Sequence, residues 1–182
     1  MSARVATLAI ALLFSYCPNI ALAQQAGADS SRAACDKFSW PVDNERAWFA
    51  DKRLARRASG ARLKRIDRAV ELSLEPSDRV EFFLPPEVRP KPHSFSGAVT
   101  FFGVPRRGTY QITLSAEASI DVFENGVRLK AIGYTSANNC PGVFESVRYR
   151  LAPGDLVLVQ ITNASTNSIK VAFEEAESKV AW

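Results

Sequence analysis

"GTYQITLSAEASIDVFENGVRLKAI", residues 108–132, decides the fold. Tyr110, Ile112 and Leu114 alternate with Gln111, Thr113 and Ser115, which is the two-residue period of a strand with one face buried. Beyond a short break, Ile120 and Val122 point inward, Asn125-Gly126 turns, and Val127 and Leu129 return on the same side. Asn-Gly supplies the positive φ angles that a tight two-residue hairpin needs.

The same period spreads outward from this stretch. On the C-terminal side, "VFESVRYRL" (143–151) sets Val147, Tyr149 and Leu151 against Ser146, Arg148 and Arg150. "DLVLVQIT" (155–162) is apolar on both faces, as a central strand is. "NSIKVAFEE" (167–175) ends the series with Ile169, Val171 and Phe173. On the N-terminal side lie "AVELSLEP" (69–76), "RVEFFLPP" (79–86) and "FSGAVTFFGV" (95–104). Short runs punctuated by Gly, Pro and Asn predict a mainly β protein: an antiparallel β-sandwich or jelly roll of eight or nine strands over 68–176. Single strands this short are unstable, so two sheets must bury their inner faces against each other.

Ahead of the sandwich, "CDKFSWPVDNERAWFA" (35–50) predicts a short helix from about Asn44 to Ala50, with Asp43 as N-cap and Glu45 suiting the dipole. Ala47, Trp48 and Leu54 are its expected buried residues. Residues 1–23 carry Arg4, an apolar run from Val5 to Tyr16 and Ala21-Leu22-Ala23, the pattern of a secretory signal peptide cleaved after Ala23. The apolar run is too short to span a bilayer. Cys17 invites a lipoprotein reading, but Tyr16 is bulky where that reading wants a small residue. Periplasmic or secreted location follows as the expectation. The polar leader 24–34 is expected to be disordered, 35–67 to hold the helix and a basic segment, and 177–182 to form a tail.

Export leaves two cysteines, Cys35 and Cys140, and an even count in an oxidising compartment reads as one disulfide. Such a bridge pins the N-terminal segment to the turn "SANNCPG" (136–142). Removing the signal peptide takes away Arg4 and no acid, leaving a net charge of about +3. Much of that excess falls in 51–68, where Arg53, Arg56, Arg57, Arg62, Lys64 and Arg65 are a candidate patch for acidic polysaccharide or lipid headgroups. The alternative is a solvated charged face. Nucleic acid is not an expected partner, since no aromatic residue is interleaved for base stacking. Trp40, Trp48 and Phe49 either line a ligand groove or pack a small core near the bridge.

"RGTYQITLSAEASIDVFENGVRL" and the later "LAPGDLVLVQIT" resemble the bacterial pre-peptidase C-terminal domain over roughly residues 95–174. With "CDKFSWPVDNERAWFA" in front and "NNCPG" behind, the chain is similar to a family of uncharacterised exported bacterial proteins. The resemblance implies a β-sandwich accessory module that binds a surface or substrate. Some members of that family carry an aromatic-ring dioxygenase name, but such an iron site needs two histidines and a carboxylate. His93 is the only histidine here, and "RPKPHSF" (89–95) places it in a proline-rich connector as an exposed loop residue.

Chemistry is sparse elsewhere. No Gly-x-Ser-x-Gly elbow is present, and two cysteines with one histidine make a poor zinc set. The spaced Asp/Asn ladder of a calcium loop is missing, and no cofactor is expected. Asp121, Glu124 and Glu145 are the carboxylates that glycoside cleavage would call on, against a reading as surface charge or turn capping. Asn163-Ala164-Ser165 matches a glycosylation sequon. Three classes therefore stand: an exported non-catalytic binding module for polysaccharide, envelope or protein; a structural or stress-related envelope protein; and a hydrolase or oxygenase. An exposed aromatic row favours the first, a sealed surface the second, and a deep pocket with clustered carboxylates of raised pKa the third.

Overall fold

The computed structural model describes residues 33–64, 66 and 68–176. The expectations for 1–23, for most of the 24–34 leader, for Arg65 and for 177–182 lie outside the described residues. Residues 33–35 are helical. One further helix follows, α1 (Asp43–Ala50), and then twelve strands: β1 (Arg56–Arg57), β2 (Ala61–Leu63), β3 (Ala69–Ser73), β4 (Glu75–Pro76), β5 (Phe95–Phe102), β6 (Gly108–Leu114), β7 (Ser119–Glu124), β8 (Val127–Arg128), β9 (Gly133–Ser136), β10 (Glu145–Leu151), β11 (Leu156–Ala164) and β12 (Ser168–Glu175).

The strands make two packed sheets of six. Sheet A runs β1-β3-β12-β6-β10-β9, and sheet B runs β2-β5-β11-β7-β8 with β4 paired to β5. The two-sheet reading stands, but the count of eight or nine and the purely antiparallel arrangement do not. β1 pairs with β3 and β2 with β5 in parallel. β1, β2, β4 and β9 are two to four residues long and charged or polar, too short to show a period. Conversely, 79–86 forms no strand: Pro85 and Pro86 cannot donate to a ladder, and the segment crosses the outside of sheet B as a strap.

The alternation read from the sequence builds the core. Tyr110, Ile112 and Leu114 of β6, Val147, Tyr149 and Leu151 of β10, and Ile169, Val171 and Phe173 of β12 face Val99, Phe101, Val122, Val157, Val159 and Ile161 of sheet B. β11 is central, between β5 and β7, as its two apolar faces require. Asn125 and Gly126 both have positive φ, 49° and 82°, and form the expected hairpin turn. Val127 is not inward: it is 65% exposed, because β8 is a two-residue edge with nothing outside it.

Residues 35–54 cover the outer face of sheet A. Cys35 and Cys140 are bonded across 105 residues, and Phe38, Val42, Phe49 and Val143 close around the bridge. The helix begins at Asp43, not Asn44, and Asp43 is not its cap. Val42 occupies the cap position without a side-chain bond, while Asp43 lies 3.5 Å from Arg46 one turn on. Ala47 is exposed, and Glu45 is the buried residue in its place. The basic segment is not an appendage ahead of the sandwich, since β1 joins sheet A and β2 joins sheet B.

Candidate functional site: the open edge of the sandwich

Sheet B runs out before sheet A does. Its last strand, β8, pairs with only Phe123 and Glu124 of β7, while sheet A continues through β10 to β9. The start of β7 therefore has no neighbour on that side, and the two sheets part to leave a cavity of about 790 Å³. Glu145, Val147 and Tyr149 of β10 form one wall, Ser119, Ile120 and Asp121 of β7 the other. Glu87, Val88, Lys130, Ala131 and Tyr134 are exposed and form the rim. The floor residues Glu145, Val147 and Tyr149 are buried, and so is Asp121, whose alternation with Ile120 and Val122 turns it to the outer face of sheet B beneath the strap.

Glu145 pairs with Leu114 in the ladder and shares the inward parity of Val147 and Tyr149. Its side chain thus lies on the core-facing side of sheet A, at the strand's open end. Only 4% of it is exposed. Oε2 accepts a hydrogen bond from the Tyr134 hydroxyl at 3.1 Å, and Oε1 has no partner. Burial pushes its pKa up to about 7, the charge of Glu117 adds to this, and the Tyr134 hydroxyl and the Ala118 N–H offset part of it. Tyr134, on the edge strand β9, keeps 58% of its surface exposed.

Asp121 is held differently. It accepts the Glu87 N–H at 3.2 Å and lies 3.2 Å from Arg128 Nε. Burial raises its pKa, and the Glu87 N–H and the Arg128 charge pull it back. Arg128 also donates to the Pro85 carbonyl and stacks over the Phe123 ring at 5.1 Å. This group ties the strap to the β7–β8 hairpin. Tyr149 donates to the Ile120 carbonyl at 3.4 Å, and burial raises its pKa. Glu124 accepts the Ala152 N–H at 2.8 Å, which is turn capping. Asp121 and Glu145 are thus not surface charges. The signal for Glu145 was its register: position 145 falls on the apolar face of 147, 149 and 151.

The other sequence candidates lie elsewhere. Trp40 lies over Gly133 and Arg148, with the Arg148 guanidinium 4.1 Å from its ring, and donates from Nε1 to Ser146 Oγ at 3.0 Å. Trp48 is half-buried and Phe49 fully buried beside the disulfide. None of the three lines the cavity. Glu45 accepts from Gln111 Nε2 at 2.5 Å and Thr113 Oγ1 at 3.0 Å, with its other oxygen unpartnered and its pKa raised by burial. The Ser146 and Thr113 hydroxyls are 2.9 Å apart. One proton per hydroxyl orders the chain: Trp40 donates to Ser146, Ser146 to Thr113, and Thr113 to Glu45.

The basic residues divide between two sheet edges. Arg56 lies 3.1 Å from Glu71, and Arg57 donates to the Arg56 carbonyl. Arg62 stacks on Phe102 at 4.7 Å from the ring centroid, Arg53 sits 3.7 Å from Asp51, and Lys64 is exposed. Arg65 lies outside the described residues. His93 is exposed in a turn with φ of 60°. Asn163 Oδ1 accepts the Lys91 N–H at 2.7 Å, so the sequon side chain is engaged. Among the described residues no group of three His, Cys, Asp or Glu side chains is placed to hold a metal ion, and no helix is long and apolar enough to cross a membrane.

No family model, curated protein or solved structure matches this chain.

Proposed function

We propose that the protein is an exported, non-catalytic binding module, and that the open edge of the sandwich is where it takes polysaccharide or a similar envelope component. One observation carries this reading: a carboxyl sunk at the floor of an open cavity, with one oxygen unpartnered. A buried polar atom without a hydrogen bond costs about 1–3 kcal/mol. A hydroxyl or N–H brought in by a ligand removes that cost. The exposed ring of Tyr134 offers an apolar platform beside it. Export is supported by the Cys35–Cys140 bridge, which persists in oxidising compartments. The jelly-roll kinship and the likeness to the pre-peptidase C-terminal domain belong to this proposal. So do lipid headgroups or an envelope protein as partners of the basic edges.

The test is calorimetric titration of the disulfide-bonded protein with soluble envelope polysaccharides, alongside Tyr134→Ala and Glu145→Gln. Binding that both substitutions weaken supports the cleft as the site. Binding unaffected by either moves the site elsewhere, and no binding to any polysaccharide removes the reading.

The same carboxyl favours a second reading. A pKa of about 7 suits a general acid at neutral pH. Asp121, the other buried carboxylate lining the cavity, is already engaged by Arg128 and the Glu87 N–H and sits on the opposite side of β7 from the core-facing Ile120, so it is not placed as the second carboxylate a hydrolase needs. Release of reducing sugar from a polysaccharide that the protein binds, abolished by Glu145→Gln, would favour this reading over the first.

A further inference from the structure

We infer that the cleft selects its ligand by a protonated primary amine, seated against Glu145 with its carbon skeleton lying across Tyr134. The inference rests on reading the cleft as a ligand site and names the chemistry that site prefers.

Glu145 has no partner for Oε1. Oε1 is closed to solvent at rest, so a ligand in the cavity meets it when the carboxyl turns toward the opening; an ionised carboxylate only accepts hydrogen bonds, so whatever meets it must donate. A neutral hydroxyl supplies a donor but leaves a buried charge unneutralised, which is the larger cost. An ammonium supplies both the donor and the charge. The other charges around the cleft point the same way. Glu117 stands close enough to raise the Glu145 pKa, and Glu87 is exposed on the rim. Asp121 and Arg128 neutralise each other, and Arg128 is further committed to the Pro85 carbonyl and the Phe123 ring. Lys130 is the remaining cation on the rim, against Glu145, Glu117 and Glu87. An anionic ligand would meet that excess. The exposed face of Tyr134 next to the carboxylate adds a cation–π surface. Tyr149, facing the same floor, is protonated and neutral, its hydroxyl already given to Ile120.

Two sources carry this chemistry: amino-sugar polymers with free amines, and free polyamines. The experiment uses glucosamine oligomers, their N-acetylated counterparts and spermidine as separate arms, titrated into the disulfide-bonded protein. Free-amine oligomers or spermidine are expected to bind, and Glu145→Gln is expected to weaken them by about tenfold or more. Tyr134→Phe should retain more affinity than Tyr134→Ala. A cation favours the ionised carboxylate, so binding near pH 7 should expel a proton. Calorimetry in two buffers of different ionisation enthalpy reads that release directly. Spermidine keeps its charge over this range, so its affinity should rise from about pH 5.5 to about pH 8. Tighter binding of the glucosamine oligomer assigns the polymer source, and tighter binding of spermidine the free one; either supports the amine. If N-acetylated oligomers bind equally well and Glu145→Gln changes nothing, the amine inference is overturned while the polysaccharide reading survives. If no arm binds, both fall.

Discussion

Glu45 and Glu145 are sunk against opposite faces of one sheet, and each keeps one oxygen without a partner. Burial raises the pKa of both. For a carboxyl whose pKa is higher folded than unfolded, the stabilising contribution is full below the ordinary value and lost as pH climbs through the folded one. For Glu145 that window runs from its ordinary 4.5 to about 7. The full shift corresponds to roughly 3 kcal/mol. Glu145→Gln should therefore gain on the wild type by an amount of that order at pH 8 and by little at pH 4.5. Urea midpoints at the two pH values check this, and a variant that loses stability equally at both would contradict it. Some slope should survive in the variant, because Glu45 and Asp121 shift in the same direction. Both carboxyls were only half legible in the sequence. Glu145 sits in register with an apolar face, which marks it. Glu45 looks like an ordinary first-turn acid, and its burial depends on Gln111 and Thr113, which a strand 66 residues away presents on its supposedly wet side.

The long alternating elements could be read because each carries its own evidence: β6, β7, β10, β11 and β12 need only a buried face and a turn. The short ones depend on a neighbour. β1 exists because β3 lies beside it, and no property of Arg56-Arg57 announces a strand. The strap at 79–86 misleads for the opposite reason, being apolar without being paired. Its Phe83 packs edge-on to Phe123 on the outside of sheet B. At this level the disulfide gives the sharpest expectation. Replacing Cys35 and Cys140 together by serine should cost up to about 4–5 kcal/mol in the chain-entropy model for so long a loop. The loss should be uneven. Hydrogen exchange in α1 should rise sharply, since that helix touches the sheet through the cluster the bridge closes, while β5 and β11 should stay protected. Uniform loss of protection across both sheets would show that the covering segment is integral to the sandwich.

At the scale of the whole molecule, the basic residues find a use that needs no ligand. Arg56, Arg57 and Arg62 lie on the outermost strands of the two sheets, and charged side chains on an edge discourage pairing with another chain. Replacing the three by valine should increase self-association, seen as higher light scattering on mild heating, with little change in the melting midpoint. If scattering is unchanged, edge protection is not their role. The sandwich as a whole was legible from periodicity, and its open side was not. That opening depends on β8 pairing with only the last two residues of β7, which is a matter of pairing rather than of pattern.

β11 lies in the middle of sheet B and β12 in the middle of sheet A. They are also the last two of the described strands in chain order. Until they emerge, β5 and β7 have no common neighbour, nor do β3 and β6, and the nascent chain carries four unpaired strand edges. Losing these two strands would divide both sheets down the middle rather than trim them at an edge.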